Sequence, residues 1–293
     1  MINARTLTLD LGGKWYRRYG AAPCPVCQPE RRKGQNALSL ADASVGRLLL
    51  HCKKSGCGFR DVAAAAGIAP GDYAPPGALT LAKREAERQA EATKRAAQAK
   101  RLWLESLPIN GTLAETYLRG RGISCPLPDT LRFHPDCWHA SAKRYPTIVA
   151  RVDGADTFAV HRTYLQADGT GKADIAHNKM MLGGVAGGAV RLCEGAARLV
   201  VAEGIETALS LASGLLDAPA TIWATLSASG MRAVRLPATP GKLMLAHDGD
   251  DAGRAAAYRL GERAHAMGWT VSTLDPGDGA DWNDILTGKA VLK

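Results

Sequence analysis

The sequence has no uninterrupted apolar run of about 18 residues, so nothing in it reads as a membrane-spanning helix. Met1 to Trp15 lacks the apolar core of a secretion signal, and a cytoplasmic location is the expectation. Aromatic residues are scarce, at 5%. No segment repeats, which argues against a solenoid. The phosphate-binding pattern Gly-x₄-Gly-Lys-Ser/Thr is missing. Its nearest trace, Gly241-Lys242, precedes a leucine and enters a strand, which excludes a nucleotide-driven motor of that kind. Acidic residues are outnumbered, 28 Asp and Glu against 37 Lys and Arg, for a formal charge of +9. An excess of that size suits a polyanionic partner, since cations that neutralise phosphates release counterions; an inert basic surface is the alternative.

What is present suggests more than one domain in 293 residues. Residues 1 to about 75 are rich in cysteine, glycine and basic side chains. Ala37–Leu40 and Arg47–His51 read as strands around a turn with Asp42, Ser44 and Gly46. A Pro/Gly stretch, Ala69–Gly77, interrupts regular structure. Thr80 to Glu105 has no Gly or Pro and predicts a long, net basic helix, either a solvated spacer or a nucleic-acid contact. Beyond it, Thr112–Arg119 reads as a helix, Thr147–Val152 and Phe158–Leu165 as strands, and Gly183–Gly188 as a glycine-rich loop. The last hundred residues alternate strand and helix. Strands are expected at Arg198–Ala202, Thr221–Leu226, Leu243–His247 and Thr270–Leu274, and helices at Ile205–Leu216 and Ala252–Met267. That rhythm implies an α/β fold with a parallel sheet covered by helices on both faces.

Two groups of residues carry chemistry. Cys24-Pro-Val-Cys27 and the pair Cys52 and Cys57 offer four thiolates in two close pairs around a hairpin, the donor set of a structural Zn²⁺ site. The four-residue gap between Cys52 and Cys57 leaves His51 as a possible substitute ligand. Trp15 and Tyr16, beside Lys14, Arg17 and Arg18, suit either stacking on unpaired bases or closing a small core. Cys125, Cys137 and Cys193 are scattered. Cys137 has His134 and His139 nearby, but a buried thiol is the simpler reading.

The second group is acidic. Glu203 follows one predicted strand, and Asp248-Gly249-Asp250 follows another, so two strand ends deliver three carboxylates to the carboxyl edge of the sheet. Carboxylates brought together repel, and Mg²⁺ or Mn²⁺ resolves the conflict while serving phosphoryl transfer. Asp281 and Asp284 either add metal ligands or, for Asp281, cap a short helix ending near Leu286.

At these residues the sequence resembles the Toprim family, the catalytic domain shared by bacterial and phage primases, topoisomerases and some nucleases. The resemblance rests on Glu203-Gly204, on Asp248-Gly-Asp250-Asp251-Ala252-Gly253 and on Asp281-Trp-Asn-Asp284. Val201-Ala-Glu-Gly-Ile-Glu-Thr-Ala208 is similar to phage and plasmid primases, Tyr117-Leu-Arg-Gly-Arg-Gly-Ile123 to the element that opens the primase core, and Pro23-Cys-Pro-Val-Cys27 to the zinc ribbon of phage primase-helicases. It implies a zinc ribbon over 1–75, a helical linker over 76–105, a mixed α+β primase-core subdomain over 106–195 and a Toprim subdomain over 196–293. It implies Glu203 as the acid/base residue and Asp248 and Asp250 as Mg²⁺ ligands. Lys179, Arg119, Arg121 and Arg162 become candidates for holding template or nucleotide phosphates. The implied partners are single-stranded DNA, ribonucleoside triphosphates and a replicative helicase acting in trans. Two other readings fit part of the pattern: a non-catalytic, recombination-mediator-like DNA-binding protein, and a Toprim nuclease. The pair Asp248 and Asp250 argues against the first.

Overall fold

The computed structural model describes residues 3–32, 34–43, 47–69, 77–195 and 198–289. The chain divides into two compact units, Met1–Ala90 and Glu91–Lys293.

In the first unit, Asn3 starts helix α1 (Ala4–Asp10) by accepting the Thr6 N–H with its side-chain oxygen at 2.9 Å. Strands β1 (Lys14–Trp15), β2 (Gly20–Ala22), β3 (Leu38–Asp42) and β4 (Leu48–Cys52) follow as an antiparallel meander in that order. A second helix, α2 (Phe59–Ala65), comes after Cys57. Leu7, Leu38, Leu40 and Val62 close a small core around Cys24 and Cys52. The two expected strands are present, each shifted by a residue or so. Ser44 and Gly46 of the expected turn, and residues 70–76 of the Pro/Gly stretch, lie outside the described residues.

Helix α3 (Ala78–Glu105) forms where expected, and only Ala99 and Trp103 of it are buried. Pairs such as Arg95–Glu91, at 3.2 Å, lace its surface. Near its start Arg84 donates to the Asp42 carboxylate at 2.9 Å within the first unit.

The second unit begins with an antiparallel sheet in sequence order: β5 (Leu107–Pro108), β6 (Leu131–Trp138), β7 (Arg144–Val152), β8 (Ala159–Tyr164) and β9 (Lys179–Leu182), with helix α4 (Leu113–Gly120) between β5 and β6. One face is covered by Ala99, Leu102 and Trp103 of α3. The other, through Ile148, Ala150 and Leu165, shares its core with α4 and with a second sheet.

That second sheet has the order β10 (Val190–Cys193), β12 (Thr221–Ala224), β11 (Arg198–Ala202), β13 (Lys242–Ala246), β14 (Thr270–Leu274). Its last four members are parallel, and β10 adds an antiparallel edge that the βα rhythm does not predict. Side chains alternate along β11. Val200 and Ala202 face helices α5 (Ile205–Ser210) and α8 (Trp282–Leu286), while Leu199 and Val201 face α6 (Ala228–Ala233) and α7 (Asp251–Ala266). Both faces are thus covered, as parallel strands require.

Two expected boundaries are corrected. The helix read as Ile205–Leu216 stops at Ser210 and continues as a wide turn, Leu211–Leu215, broken at Gly214 with φ 120°. The strand read to Leu226 ends at Ala224, and Leu226 takes a left-handed φ of 73°.

Candidate functional site

The crossovers from β11 and β13 run in opposite directions, β11 through α5 to β12 and β13 through α7 to β14. The gap between their carboxyl ends is therefore the switch point of the sheet, where open α/β folds form their crevices. Glu203 directly follows β11 and Asp248 comes two residues after the end of β13, with Ala202 paired to Ala246 across the ladder.

The surroundings of these carboxylates are specific. Asp248 accepts the Thr207 hydroxyl of α5 at 3.2 Å. Burial, and then the charges of Asp248 and Asp250, push Glu203 above the ordinary carboxylate range, although the Ala228 N–H of α6 and Lys179 oppose the shift. Burial also raises Asp248, helped by Asp281 and Asp250 and resisted by Thr207 and Lys179. Asp250 is the N-cap of α7, accepting the Gly253 N–H at 2.6 Å. Gly249 is demanded by a close approach: a Cβ there would lie 1.9 Å from the Gly277 carbonyl oxygen. Its N–H donates to Ala280 and its carbonyl accepts from Gly279, which ties the acidic turn to the loop leading to Asp281.

Asp281 caps α8, accepting the Asp284 N–H at 2.8 Å. The capping reading is therefore realised, and its second carboxylate oxygen is not used by that bond. Trp282 is fully buried and donates its indole N–H to the His247 carbonyl at 2.9 Å. Asn283 donates to the Arg121 carbonyl and to Ser210, so the segment from 281 to 284 latches α8 beneath the acidic turn.

Among the described residues the carboxylates of Glu203, Asp248 and Asp250 are not gathered within 4.8 Å of one another; only Cys24, Cys27, Cys52 and Cys57 meet that spacing. Hydrated Mg²⁺ suits the acidic arrangement nonetheless, because it keeps several waters and binds through one or two carboxylates plus phosphate oxygens. Glu203 and Asp248, partly buried and both held above the ordinary carboxylate range with neighbouring acids contributing, fit a divalent cation.

The basic candidates separate. Lys179, on β9, exerts its charge on Glu203 and Asp248. Arg121 lies 3.7 Å from Glu206. Arg119 is engaged elsewhere, pairing with Glu115 at 3.0 Å and donating to the Ile123 and Cys125 carbonyls. Arg162 points to the other face of its sheet: His161 and Thr163 line the side shared with Lys179 and Glu206, and Arg162 does not.

Two residues escape the sequence reading. Glu206, in the first turn of α5, accepts Tyr117 Oη and Lys172 Nζ, each at 2.7 Å. Burial would raise its pKa, but Lys179 and Lys172 with these two donors hold it below the usual range. Thr207 is the other. A glutamate in a helix's first turn looks like an ordinary dipole partner, so spacing alone gives no sign of this cage. Beside it His161 is fully buried; desolvation, then the charge of Lys179, bring its pKa down to about 3.

The four cysteines stand where a metal would hold them. Cys27 Sγ and Cys52 Sγ are 3.5 Å apart, close to the ~3.8 Å edge of a tetrahedron with Zn–S bonds of about 2.3 Å. Burial acts upward on Cys52, but the N–H groups of Ser55, Cys57 and Lys54 outweigh it and lower its pKa to about 6. For Cys57, burial and the neighbouring thiols raise it to about 12. His51 is not in the cluster, nor do Cys137, His134 and His139 form one among the described residues. Trp15 packs on the first unit's core, whereas Tyr16 is exposed and stacks on Tyr19 with ring centroids 5.1 Å apart.

Residues 198–290 match the Toprim domain, which bears out the resemblance read from Glu203 to Asp284, and residues 93–192 match a domain of unknown function, DUF7146. No curated protein matches the chain. Among solved structures, a DNA primase domain from Pseudomonas aeruginosa is similar at 17% identity and a TM-score of 0.42, over 67% of this chain and 75% of that one. The zinc-binding and RNA polymerase domains of the Aquifex aeolicus primase are similar at 13% identity and a TM-score of 0.40, over 98% of this chain and 83% of that one. The RNA polymerase domain of the Mycobacterium tuberculosis primase is similar at 14% identity and a TM-score of 0.36, over 68% and 79%.

Proposed function

We propose, for a chain whose residues 198–290 match the Toprim domain, that it is a primase making short RNA primers on single-stranded DNA for phage or plasmid replication. The observation that carries this reading is the placement of Glu203 and Asp248 at adjacent strand ends of the switch point, partly buried, with further carboxylates and the charge of Lys179 acting on them. The four-cysteine centre and the basic charge support it.

In this mechanism Asp248, with Asp250 beside it, would hold Mg²⁺ or Mn²⁺. The bound cation would supply activation of the attacking ribose 3′-hydroxyl and neutralisation of the departing pyrophosphate. Glu203, with its proton affinity raised, is suited to take the hydroxyl proton. Lys179 and Arg121 attract nucleotide phosphates, Thr207 fixes the Asp248 carboxylate, and the Glu206 cage fixes Lys172. Cys24, Cys27, Cys52 and Cys57 would hold Zn²⁺ as a structural staple. On the same unit the Tyr16–Tyr19 pair, with Lys14 5.7 Å from the Tyr16 ring, offers a stacking platform for unpaired bases. Unwinding falls to a helicase in trans.

The test is incubation of the zinc-loaded protein with single-stranded DNA, labelled NTPs and Mg²⁺. Primers are expected from the native protein. Asp248→Asn and Asp250→Asn should each lower the yield by about a thousandfold with DNA affinity retained, since asparagine preserves the α7 cap. Absence of primers on every template overturns the reading. One observation favours a non-catalytic DNA-binding protein: the Asp250 carboxylate already serves as a helix cap. Full DNA binding with no Mg²⁺-dependent chemistry would decide for that alternative, and cleavage of the template for a nuclease.

A further inference from the structure

On the face of the antiparallel sheet away from the acidic core lies a cleft of about 520 Å³. Its floor is β8, its wall the last turns of α3, and its rim the irregular end of β6, where the pairing shifts between His134 and Cys137. At its floor is Arg162, 5% exposed. One guanidinium nitrogen donates to the Trp138 carbonyl at 3.3 Å, and the charge lies 5.6 Å from the Tyr164 ring. Its Nε has no hydrogen-bond partner, and among the described residues no carboxylate pairs with it.

That arrangement is costly as it stands. The Cys137 thiol and the Tyr164 hydroxyl also interact with Arg162, but a buried guanidinium without a counter-charge loses hydration that neutral partners do not fully replace. The acids of the cleft do not supply the charge, since each is matched at the rim. Arg144 lies 3.4 Å from Asp136, and Arg101 3.6 Å from Glu105. The positive charge at the floor is therefore available to an incoming anion. Beside it Trp138 is 53% exposed, which leaves indole surface open to stacking. An unpaired arginine and an open aromatic face in one cleft of this size match a phosphate joined to a base.

We propose that this cleft is a second nucleotide site, in which Arg162 takes a phosphate from the floor and the Trp138 indole stacks on the base. The nucleotide is either a free nucleoside triphosphate or one unit of a strand. The site shares β8 with the small cavity lined by His161, Thr163, Lys179 and Glu206, which lies on the opposite face of that strand. It stands independently of the priming activity.

The test is calorimetric titration of the full, zinc-loaded chain without added Mg²⁺, using ATP, inorganic triphosphate and a short oligothymidylate as probes. Asp248→Asn should bind ATP or the oligothymidylate like the native protein, while Arg162→Gln and Trp138→Ala should each weaken that binding by about tenfold or more. Dependence seen with ATP assigns the free nucleotide, and dependence seen only with the oligothymidylate assigns the strand. Should Arg162→Gln fail to fold, the rim variant Trp138→Ala decides the matter. Native affinity in Trp138→Ala, triphosphate bound as tightly as ATP, no binding of any probe, or binding lost in Asp248→Asn alone would each overturn the proposal.

Discussion

At the scale of single residues, the acidic site depends on groups that do not themselves advertise a role. Glu206 is the clearest. Its carboxylate holds Lys172 and Tyr117 in a buried cage, so Glu206→Gln leaves the lysine without its counter-charge. A loss of about 3 kcal/mol in urea denaturation is expected at neutral pH. Because folding depresses the Glu206 pKa, its stabilising contribution is present above the unfolded carboxylate value and fades as pH falls through that value and below. The gap between native and variant stability should therefore close in acid; a gap independent of pH would show that charge is not the cause. Gly249→Ala makes the second test at this scale. Its methyl group would meet the Gly277 carbonyl, displacing the loop that leads to Asp281. About 2 kcal/mol of stability and most of the primer synthesis should be lost together. The positions of Glu203 and of Asp248 and Asp250 after the strands Arg198–Ala202 and Lys242–Ala246 were legible because those strands are short apolar runs. Glu206 and Thr207 were not, since what gives them meaning is contact with Tyr117, Lys172 and Asp248, distant in sequence.

Among the elements, legibility followed local composition. Arg198–Ala202 and Thr270–Leu274 could be read to the residue, being short β-rich runs between loops. Strand β6 could not: it contains Pro135, His134 and Asp136, and the pairing shift between His134 and Cys137 is what accommodates them. Helix α5 was over-read because Leu211, Leu215 and Leu216 continue an apolar pattern through a backbone that Gly214 has already broken. The cysteine meander depends on more than its own strands. Its core is small, and four thiols stand at its centre. Chelation of the metal, or Cys24→Ser, should unfold residues 3–69 while leaving the second unit's transition in place, as read by limited proteolysis and circular dichroism. Elemental analysis should find about one zinc per native chain, in keeping with the closed four-thiolate geometry. A first unit that stays folded without metal would remove zinc's structural role.

For the molecule as a whole, charge supplies the broadest expectation. With a formal excess of +9, affinity for single-stranded DNA should fall steeply with salt, by a logarithmic slope of about −0.7 for each phosphate neutralised. A flat response would place the contact somewhere other than the basic surface. The order of paired cysteines, long basic helix, antiparallel sheet and parallel sheet was open to reading from the sequence because each part carries its own composition. The antiparallel edge strand β10 was not, since nothing within Val190–Cys193 states a direction. The pairing of Ala202 with Ala246 has a last consequence. The spacing between the two acidic strand ends is inherited from the interstrand repeat of a sheet, about 4.8 Å, and not from the packing of any particular side chain. Such a ruler survives drift in nearly every residue around it. Descendants of this sequence can diverge almost everywhere and still deliver the same two carboxylates at the same separation, so a short acidic signature remains readable after the rest has worn away.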